Sequence, residues 1–262
     1  MTAIQINNLR KEYKDVVAVS NLNLTIEEGE LFSLLGVNGA GKTTTIKMLA
    51  TLVKPTSGDA LIFNHSINKD DDKIKELIDI SMQETAIARK LTVEENIEFY
   101  ASLSGQTKMQ VEESKKAIYS AFELDKVKNK KACKLSGGWQ RKLSIALALV
   151  SNPKVLFLDE PTLGLDVIAR RELWNTINSL KGKMTIILTT HYMEEAEALS
   201  DRIGIMKDGN LMFVGTKDEL FSKTNKTNVE DAFIEIVSGG VLNAWFIKKN
   251  FCINKKKFKR NS

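Results

Sequence analysis

The chain has 262 residues, of which 43% are hydrophobic and 27% are charged, and its formal net charge is +5 at pH 7. This length is ample for one large α/β domain with its own core. Two cysteines and two histidines are too few for a disulfide framework or a structural zinc site, which favours a reducing compartment. No apolar run reaches the roughly 18 residues that a membrane span requires, and no signal-peptide pattern opens the chain, so we expect a soluble protein.

The excess positive charge is concentrated at the C-terminus. Residues 241–262 contain seven Lys or Arg and no acid, whereas residues 1–240 contain 31 basic and 33 acidic residues. The body of the chain is therefore slightly acidic, and we expect no nucleic-acid partner. The tail also contains aromatic residues, so one hypothesis is that it lies on an anionic membrane surface. The alternative, which we favour, is a disordered or non-native extension.

The first third of the chain alternates strand and turn patterns. Residues 3–13 and 21–26 show the period-two hydrophobic pattern of strands. Residues 31–35 (LFSLL) form a continuous apolar run, which is typical of a strand buried on both faces. After a glycine-rich segment, residues 42–52 (KTTTIKMLATL) predict a helix, and residues 54–64 (KPTSGDALIFN) predict a turn and a strand.

The middle of the chain, about residues 85–150, has a helical pattern. Thr92 and Glu95 form a predicted capping box at the start of its first helix. A second amphipathic helix follows, and a third is predicted after Gly138. We therefore predict a helical subdomain inserted into an otherwise alternating α/β chain.

The last part of the domain returns to alternating strands and helices. Residues 154–160 (KVLFLDE) and 184–191 (MTIILTTH) predict buried strands on either side of a helix over residues 167–180. A hairpin is predicted to turn at Asp208 and Gly209. Two short helices then complete the predicted domain, and Thr216 and Glu219 form a predicted capping box at the start of the first one.

The segment GVNGAGKT, residues 36–43, satisfies the P-loop pattern and lies between a predicted buried strand and a predicted helix. Its glycines allow backbone N–H groups to surround phosphates, while Lys42 reaches the β- and γ-phosphate oxygens and the Thr43 hydroxyl binds Mg²⁺. The predicted nucleotide-binding residues here are Gly36, Asn38, Gly39, Ala40, Gly41, Lys42, Thr43 and Thr44. The alternative is an ordinary glycine-rich turn between a strand and a helix.

A second motif, VLFLDE, ends in the carboxylate pair Asp159 and Glu160. An apolar strand that ends in this way brings both carboxylates to the carboxyl edge of a parallel sheet, next to the P-loop. We predict that Asp159 holds Mg²⁺ through water and that Glu160 orients or deprotonates the attacking water. A nucleotide switch needs only the first carboxylate, so the second one favours hydrolysis.

A second anion-binding helix start is predicted in residues 134–150, where Ser136, Gly137 and Gly138 precede an Ala- and Leu-rich helix. The motif LSGGWQRK, after a P-loop and before VLFLDEPTLGLD, resembles the signature of the ATP-binding-cassette (ABC) transporter ATPases. The resemblance implies that two chains pair head to tail and that these three residues grip the γ-phosphate of the ATP held by the other subunit. The simpler alternative is that Ser136 only caps the helix.

The resemblance implies roles for further residues. Gln83 in SMQE matches the Q-loop glutamine, which senses Mg²⁺ and joins the core to the helical subdomain. Asp166 in LGLD matches the loop that crosses the dimer interface, and His191 matches the switch histidine that contacts the γ-phosphate. Tyr13 stands where an aromatic side chain stacks on adenine. The predicted catalytic residues are Lys42, Gln83, Glu160 and His191, and the predicted metal ligands are Thr43, Gln83 and Asp159.

The resemblance covers about residues 2–238 and implies an α/β fold. We expect a P-loop NTPase core with a mainly parallel sheet, an N-terminal antiparallel β subdomain and the inserted α-helical subdomain. The nucleotide-binding domain would span residues 1–240, followed by the tail. Trp139 departs from the family pattern, since glutamine is commonest at the fifth signature position, but many exporters carry an apolar residue there. GAGKTTTIKML, LTVEENIEFYASLSG and DEPTLGLD look most like bacterial exporters of the daunorubicin-resistance type.

From these motifs we expect the ATP-hydrolysing motor subunit of a membrane exporter, with ATP and Mg²⁺ as cofactors. It would work as a homodimer, or paired with a homologous ATPase, docked on separate transmembrane permease subunits at the cytoplasmic face of a bacterial cell membrane. Two other hypotheses are a soluble ABC ATPase acting on nucleic acid or ribosomes and a nucleotide-gated scaffold. A single cassette without long coiled coils argues against the first, and the presence of Glu160 and His191 argues against the second.

Overall fold

The computed structural model describes residues 1–105 and 107–239, which form a mixed α/β fold. The strands in this part of the chain are β1 (Thr2–Tyr13), β2 (Val16–Glu27), β3 (Leu31–Gly36), β4 (Ser57–Ile62), β5 (His65–Ser66), β6 (Ile78–Ser81), β7 (Val155–Asp159), β8 (Thr185–Thr190), β9 (Arg202–Lys207) and β10 (Asn210–Gly215). Its α-helices are α1 (Lys42–Leu49), α2 (Asp71–Leu77), α3 (Val93–Leu103), α4 (Lys108–Phe122), α5 (Gly137–Ala148), α6 (Val167–Leu180), α7 (Met193–Leu199), α8 (Lys217–Thr224) and α9 (Val229–Ser238). The predicted tail lies outside the described residues.

The larger sheet has six strands in the order β10-β9-β3-β8-β7-β6. The strands from β9 to β6 are parallel, and β10 pairs antiparallel with β9. β8 lies between β3 and β7, so that Leu35 pairs with Thr190 and Asp159 pairs with Thr189. Because the carboxyl ends of parallel strands meet at one edge of a sheet, the loops that follow β3, β7 and β8 converge there.

The three central strands β3, β7 and β8 are buried along their whole length. Successive side chains of a strand point to opposite faces. Along β7, Leu156 and Leu158 pack with the helices on one face, while Val155 and Phe157 pack with the smaller sheet on the other. Burial on both faces explains why these strands read as continuous apolar runs and not as alternating ones.

A smaller antiparallel sheet has the strand order β2-β1-β4-β5. Its inward-facing residues, including Ile4, Leu9 and Ile26, are fully buried in a core shared with α1 and one face of the larger sheet. Its other face is solvated, which is why β1 and β2 carry the period-two pattern seen in the sequence. The predicted fold class, with an antiparallel sheet packed on a mainly parallel one, is confirmed.

The helices α3, α4 and α5 lie between β6 and β7 in the chain, together with two short 3₁₀ helices. The predicted capping box begins α3: Glu95 N donates to Thr92 Oγ1 at 3.2 Å, and Thr92 N donates to Glu95 Oε2 at 2.7 Å. Lys115 on α4 pairs with Glu94 and Glu98 on α3 at 2.9 and 2.8 Å. α5 contacts both α3 and α4 of the insert and β6 and α6 of the core, so it joins the helical subdomain to the core.

The C-terminal helices α7, α8 and α9 form a third core with β9 and β10, in which Phe213 and Phe233 are buried. In the β9–β10 hairpin, Asp208 and Gly209 have φ values of 48° and 75°, as the favoured two-residue turns require. The predicted hairpin is therefore confirmed. Within the part of the chain that the structure describes, no helix is long and apolar enough to cross a membrane.

The structure differs from the sequence predictions at a few places. The sequence predicts the third helix of the insert after Gly138, but α5 begins at Gly137, because the glycine pair forms its first turn. Ser136 occupies the N-cap position, yet its side chain makes no capping hydrogen bond, so capping alone does not account for a serine here. α2 and β6 were not predicted, since segments of seven and four residues are too short for a clear period.

The fully buried Asn96 on α3 organises the loop that precedes this helix. Its Oδ1 accepts from Ala88 N at 2.8 Å, and its Nδ2 donates to Ala88 O at 3.1 Å and to Thr92 O at 2.8 Å. We predict that Asn96→Ala lowers the free energy of unfolding by about 2 kcal/mol, because it leaves buried backbone groups unpaired. Urea unfolding of Asn96→Ala and of Ser102→Ala, an exposed control on the same helix, checks this. Equal stability of the two variants would contradict it.

Candidate active site

The loop between β3 and α1 has a compact backbone that only glycine permits at two points. Gly41 has φ of 104°, and a Cβ there would lie 2.4 Å from the backbone oxygen of Ala18. A Cβ at Gly36 would lie 2.6 Å from the backbone oxygen of Met206. Larger residues would therefore push the loop away from its neighbours. The loop leads into the N-terminus of α1, where N–H groups without an intrahelical partner can bind an anion.

Lys42, the first residue of α1, is only 5% exposed. Its Nζ donates to the carbonyl oxygens of Gly36 at 2.7 Å and Val37 at 3.3 Å, and it pairs with Glu160 Oε1 at 3.3 Å. A buried ammonium group requires such partners, because its charge has lost hydration. An anionic ligand in this loop would compete with the Glu160 carboxylate for the same group.

Asp159, the last residue of β7, is almost fully buried beside the first turn of α1. Thr43 Oγ1 lies 3.0 and 3.1 Å from its two carboxylate oxygens. Thr189 Oγ1 donates to Oδ1 of Asp159 at 2.5 Å. A hydroxyl group and a carboxylate are hard oxygen ligands of the kind that Mg²⁺ prefers. In the described ranges, no group of three or more His, Cys, Asp or Glu could hold a metal ion.

Glu160 has a left-handed backbone with φ of 49°, a conformation that is costly for a non-glycine residue and is found at functional sites. Its N–H donates to Thr189 O at 3.1 Å and Thr189 Oγ1 lies 3.2 Å away. Its buried carboxylate lies between Lys42 and His191, whose Nδ1 is 2.7 Å from Oε2. Thr189 of β8 thus holds the backbone of this residue, while His191, which follows β8, and Lys42 hold its side chain.

These groups meet at one cavity of about 710 Å³, which is a volume typical of small-molecule sites. The predicted residues that line it are Tyr13, Asn38, Gly39, Ala40, Gly41, Lys42, Thr43, Thr44, Gln83, Glu160 and His191. The exposed side chains of Tyr13, Val16 and Val17 line the same cavity as the glycine-rich loop and the charged groups. An apolar surface and an anion-binding loop in one cavity together suit a nucleotide. Gly36 and Asp159 are predicted site residues that do not line the cavity themselves. Gly36 accepts a hydrogen bond from Lys42, and Asp159 accepts one from Thr43.

The LSGGW segment lies at a different cavity of about 270 Å³. The residues that line it include Ser136, Gly138, Trp139, Lys142 and Asp166, and Gly137 begins the adjoining helix. Lys142 Nζ lies 4.8 Å from the centroid of the Trp139 ring and pairs with Glu172 on α6 at 2.9 Å. None of these residues lines the P-loop cavity. The structure therefore keeps the two predicted anion-binding segments of one chain apart.

The loop after β8 is supported by α6. The rings of His191 and Tyr192 lie 4.1 Å apart, and the guanidinium group of Arg170 lies 4.4 Å from the Tyr192 ring centroid. Asp166 is the N-cap of α6, and its carboxylate accepts from Ile168 N and Ala169 N at 2.9 Å. One helix therefore contacts both the histidine loop of the first cavity and the lining of the second.

Glu195 on α7 is fully buried behind the histidine loop. Its Oε1 accepts a hydrogen bond from Trp174 Nε1 on α6 at 3.0 Å. Burial is the main reason that the pKa of Glu195 is raised from its ordinary value, and the negative charge of Glu160 adds to the effect. A carboxyl group in this setting binds a proton more readily in the folded chain than in the unfolded one.

The sequence predictions missed Thr189, Tyr192 and Glu195 as supports of the site. Thr189 had a weak signal, because two threonines end a strand that is otherwise apolar. Glu195 had none beyond its place among other acids in the following helix. Their partners are residues of other strands and helices, which short motifs do not specify.

A glycine-rich loop at the end of one parallel strand, a carboxylate pair at the end of another and a histidine after the strand between them define a P-loop nucleoside-triphosphate-binding domain. The family model for ABC transporter matches residues 19–163, which is more than half of the chain. The chain belongs to this family. The family that the motifs resembled is therefore confirmed.

Two relatives illustrate the match. ABC transporter A family member 7 of Dictyostelium discoideum is 44% identical over 225 residues, covering 85% of this chain and 27% of that protein. The probable multidrug ABC transporter ATP-binding protein YbhF of Escherichia coli (strain K12) is 36% identical over 242 residues, covering 90% of this chain and 42% of that protein. The chain thus spans less than half the length of these curated relatives.

Among solved structures, MJ0796, a bacterial ABC transporter cassette solved as a dimer, has a TM-score of 0.73 to this chain at 29% sequence identity. The similarity covers 81% of this chain and 98% of that one. The same cassette is also known in a post-hydrolysis state bound to ADP and Pi. The fold and the motifs are therefore those of an ABC ATPase domain.

The buried Glu195 makes the stability of the chain depend on pH. Because its pKa is raised above 4.5 in the folded state, protonation stabilises the fold, and this contribution is lost as the pH rises through the raised pKa. We compare the melting temperature of Glu195→Gln with that of the wild type. We predict that the variant gains melting temperature relative to the wild type as the pH rises above 4.5, and that the difference is constant above the raised pKa. Glu194→Gln, an exposed neighbour, should show a smaller dependence. A pH-independent difference for Glu195→Gln would contradict this.

Proposed function

We propose that the chain is the ATP-hydrolysing motor subunit of a membrane ABC transporter that works as an exporter. The observation that best supports ATP hydrolysis is the position of the Glu160 carboxylate. It lies 3.3 Å from Lys42 Nζ and 2.7 Å from His191 Nδ1 at a single cavity. A nucleotide-gated scaffold needs the P-loop but not a second carboxylate beside the phosphates. The arrangement therefore favours an ATPase over a scaffold.

The lining of the P-loop cavity suggests how ATP would bind. The adenine would lie against Tyr13, Val16 and Val17, because adenine stacks on aromatic side chains. The backbone N–H groups of the loop and the Lys42 ammonium group would bind the β- and γ-phosphates. Lys42 would then exchange its contact with Glu160 for the phosphate, which frees the carboxylate for a water molecule.

The residues at the end of β7 and at the start of α1 suit Mg²⁺. The Thr43 hydroxyl group and the Asp159 carboxylate would hold it, with Gln83 lining the same cavity. Because Mg²⁺ usually keeps waters and phosphate oxygens as ligands, so small a protein ligand set is sufficient. When bound, Mg²⁺ neutralises charge that develops on the phosphates during transfer.

In the proposed hydrolysis, the attacking water bonds to the γ-phosphorus while the bond from that phosphorus to the β–γ bridging oxygen breaks and ADP leaves. Glu160 accepts a hydrogen bond from this water and takes its proton. His191 fixes one carboxylate oxygen of Glu160, and Thr189 fixes its backbone. Lys42 stabilises the negative charge on the transferred phosphoryl group. The charged side chains Lys42 and Glu160 are both less than 10% exposed, so their interactions with the phosphates are only weakly screened by water.

We propose that two chains, or this chain and a homologous ATPase, pair head to tail. Ser136, Gly137 and Gly138 of one chain would then bind the γ-phosphate of the ATP held by the other. In support, these residues form the N-terminus of a helix of 12 residues, away from the P-loop cavity of their own chain. Val167 and Ile168, beside Asp166, are 69% and 73% exposed and would be buried by such pairing.

We further propose that the dimer docks on separate transmembrane permease subunits, as a peripheral protein at the cytoplasmic face of a bacterial cell membrane. YbhF, to which the chain is 36% identical, is named a probable multidrug transporter ATP-binding protein, which supports an exporter. On α3, Phe99 and Leu103 lie one turn apart and are 47% and 68% exposed. They offer an apolar contact for a membrane subunit on the helical subdomain.

Glu160→Gln tests the proposed function. We predict that this variant binds MgATP, hydrolyses it at least about 100-fold more slowly because the general base is lost, and accumulates as an ATP-bound dimer. Phosphate release and analytical ultracentrifugation with and without MgATP measure both effects. Glu28→Gln, an exposed carboxylate outside the cavity, is the control and should match the wild type. A Glu160→Gln chain that stays monomeric at saturating MgATP would contradict the proposal.

A further inference from the structure

Arg141 is a buried charged residue on α5, three positions after Gly138, and it is 5% exposed. Its guanidinium group donates to four backbone carbonyl groups in two different segments. Nε donates to Pro161 O at 2.7 Å and Nη2 to Asp159 O at 2.8 Å. Nη1 donates to Met82 O at 2.5 Å and lies 3.1 Å from Gln83 O. A guanidinium group suits this task because it presents several donors in one rigid plane.

The four carbonyl groups belong to two segments that each place one residue, Gln83 or Glu160, in the lining of the P-loop cavity. Asp159 and Pro161 flank Glu160 in the chain, so their carbonyl groups fix the backbone on both sides of the proposed general base. Met82 and Gln83 follow β6, and Gln83 lines the cavity itself. One side chain therefore ties together two walls of this cavity.

The contacts of Arg141 are with neutral carbonyl groups, and among the described residues it forms no ion pair within 4.0 Å. Burial lowers the pKa of Arg141 to about 10, although the nearby negative charges of Asp159, Glu195 and Glu160 oppose this. The group is therefore still a cation at neutral pH. A buried cation is costly to keep, and an apolar residue would fill the space without that cost.

The same helix carries the LSGGW segment at its N-terminus. Ser136 and Gly138 line the second cavity, and Arg141 follows one turn later. A movement of the Gln83 backbone would therefore be transmitted through Arg141 to α5, through less than one turn of helix to Gly138 and through about one and a half turns to Ser136. A helix is stiff over this distance, since each turn is held by its own hydrogen bonds.

We infer that Arg141 is a positioning residue that couples the two nucleotide half-sites of one chain, its own P-loop cavity and the LSGGW segment that it offers to a partner. This inference rests on the proposed head-to-tail dimer. Binding of MgATP beside Gln83 and Asp159 would set the position of α5 and hence of Ser136. Because coupling between two sites is reciprocal, capture of the partner's nucleotide by Ser136 would also stabilise the closed P-loop cavity.

The test compares Arg141→Met and Arg141→Lys with Leu147→Ala, a buried core control on the same helix. Leu147→Ala creates a cavity and lowers stability without touching the carbonyl groups. Three quantities are measured for each chain: the melting temperature, the affinity for a fluorescent ATP analogue at a concentration at which the chain is monomeric, and the Hill coefficient of ATP hydrolysis.

We expect the wild type to hydrolyse ATP with a Hill coefficient clearly above 1 and Arg141→Met to give a value of about 1, since the coefficient is bounded by the number of coupled sites. The affinity of the monomer should be unchanged, because the phosphate-binding groups are intact. Arg141→Lys keeps the charge but reaches fewer carbonyl groups. Its Hill coefficient should therefore lie between those of the wild type and Arg141→Met. Leu147→Ala should lose melting temperature yet keep the Hill coefficient of the wild type.

A Hill coefficient of Arg141→Met equal to that of Leu147→Ala would overturn the inference while leaving the proposed dimer intact. If Arg141→Met does not fold, Arg141→Lys decides, and a wild-type Hill coefficient in that variant overturns the inference. A wild-type chain that hydrolyses ATP with a coefficient of 1 would instead contradict the proposed dimer, and the inference with it.

Discussion

The contact between Lys42 and Glu160 exists because three parallel strands end at one edge of the larger sheet. β8 lies between β3 and β7, so groups that are far apart in the chain, such as Thr43 and Asp159, come within 3.0 Å. Both members of the ion pair are buried, and each would be costly without the other. Such a pair can be exchanged for a phosphate, which links nucleotide binding to the release of the carboxylate proposed to activate water.

The sequence predicted those parts of the site whose chemistry lies in short contiguous motifs. The P-loop residues, the carboxylate pair and His191 all lie at or directly behind one cavity. The capping boxes at Thr92 and Thr216 and the strand patterns were also confirmed. These features are local, since a few neighbouring residues determine a cap, a turn or a buried strand.

The contacts that the sequence could not predict join distant segments. The Thr189 hydroxyl group reaches Asp159 across 30 positions, and Arg141 reaches carbonyl groups 18 and 59 positions away. They depend on strand register and on where α5 packs, neither of which a motif encodes. The start of α5 was predicted two residues too late, because two glycines favour a turn in isolation, whereas packing of α5 between the insert and the core holds them in a helix.

One chain has a P-loop cavity and, at a separate cavity, the LSGGW segment that we propose binds the nucleotide of a partner. In the proposed dimer each segment completes the site of the other copy. The most direct test is the rate of ATP hydrolysis per chain at saturating MgATP, measured over a dilution series together with sedimentation equilibrium. We expect the rate per chain to fall as the dimer dissociates, and we expect its midpoint to lie at the protein concentration at which sedimentation shows half of the dimer dissociated. An undiminished rate in fully monomeric protein would contradict the sandwich dimer.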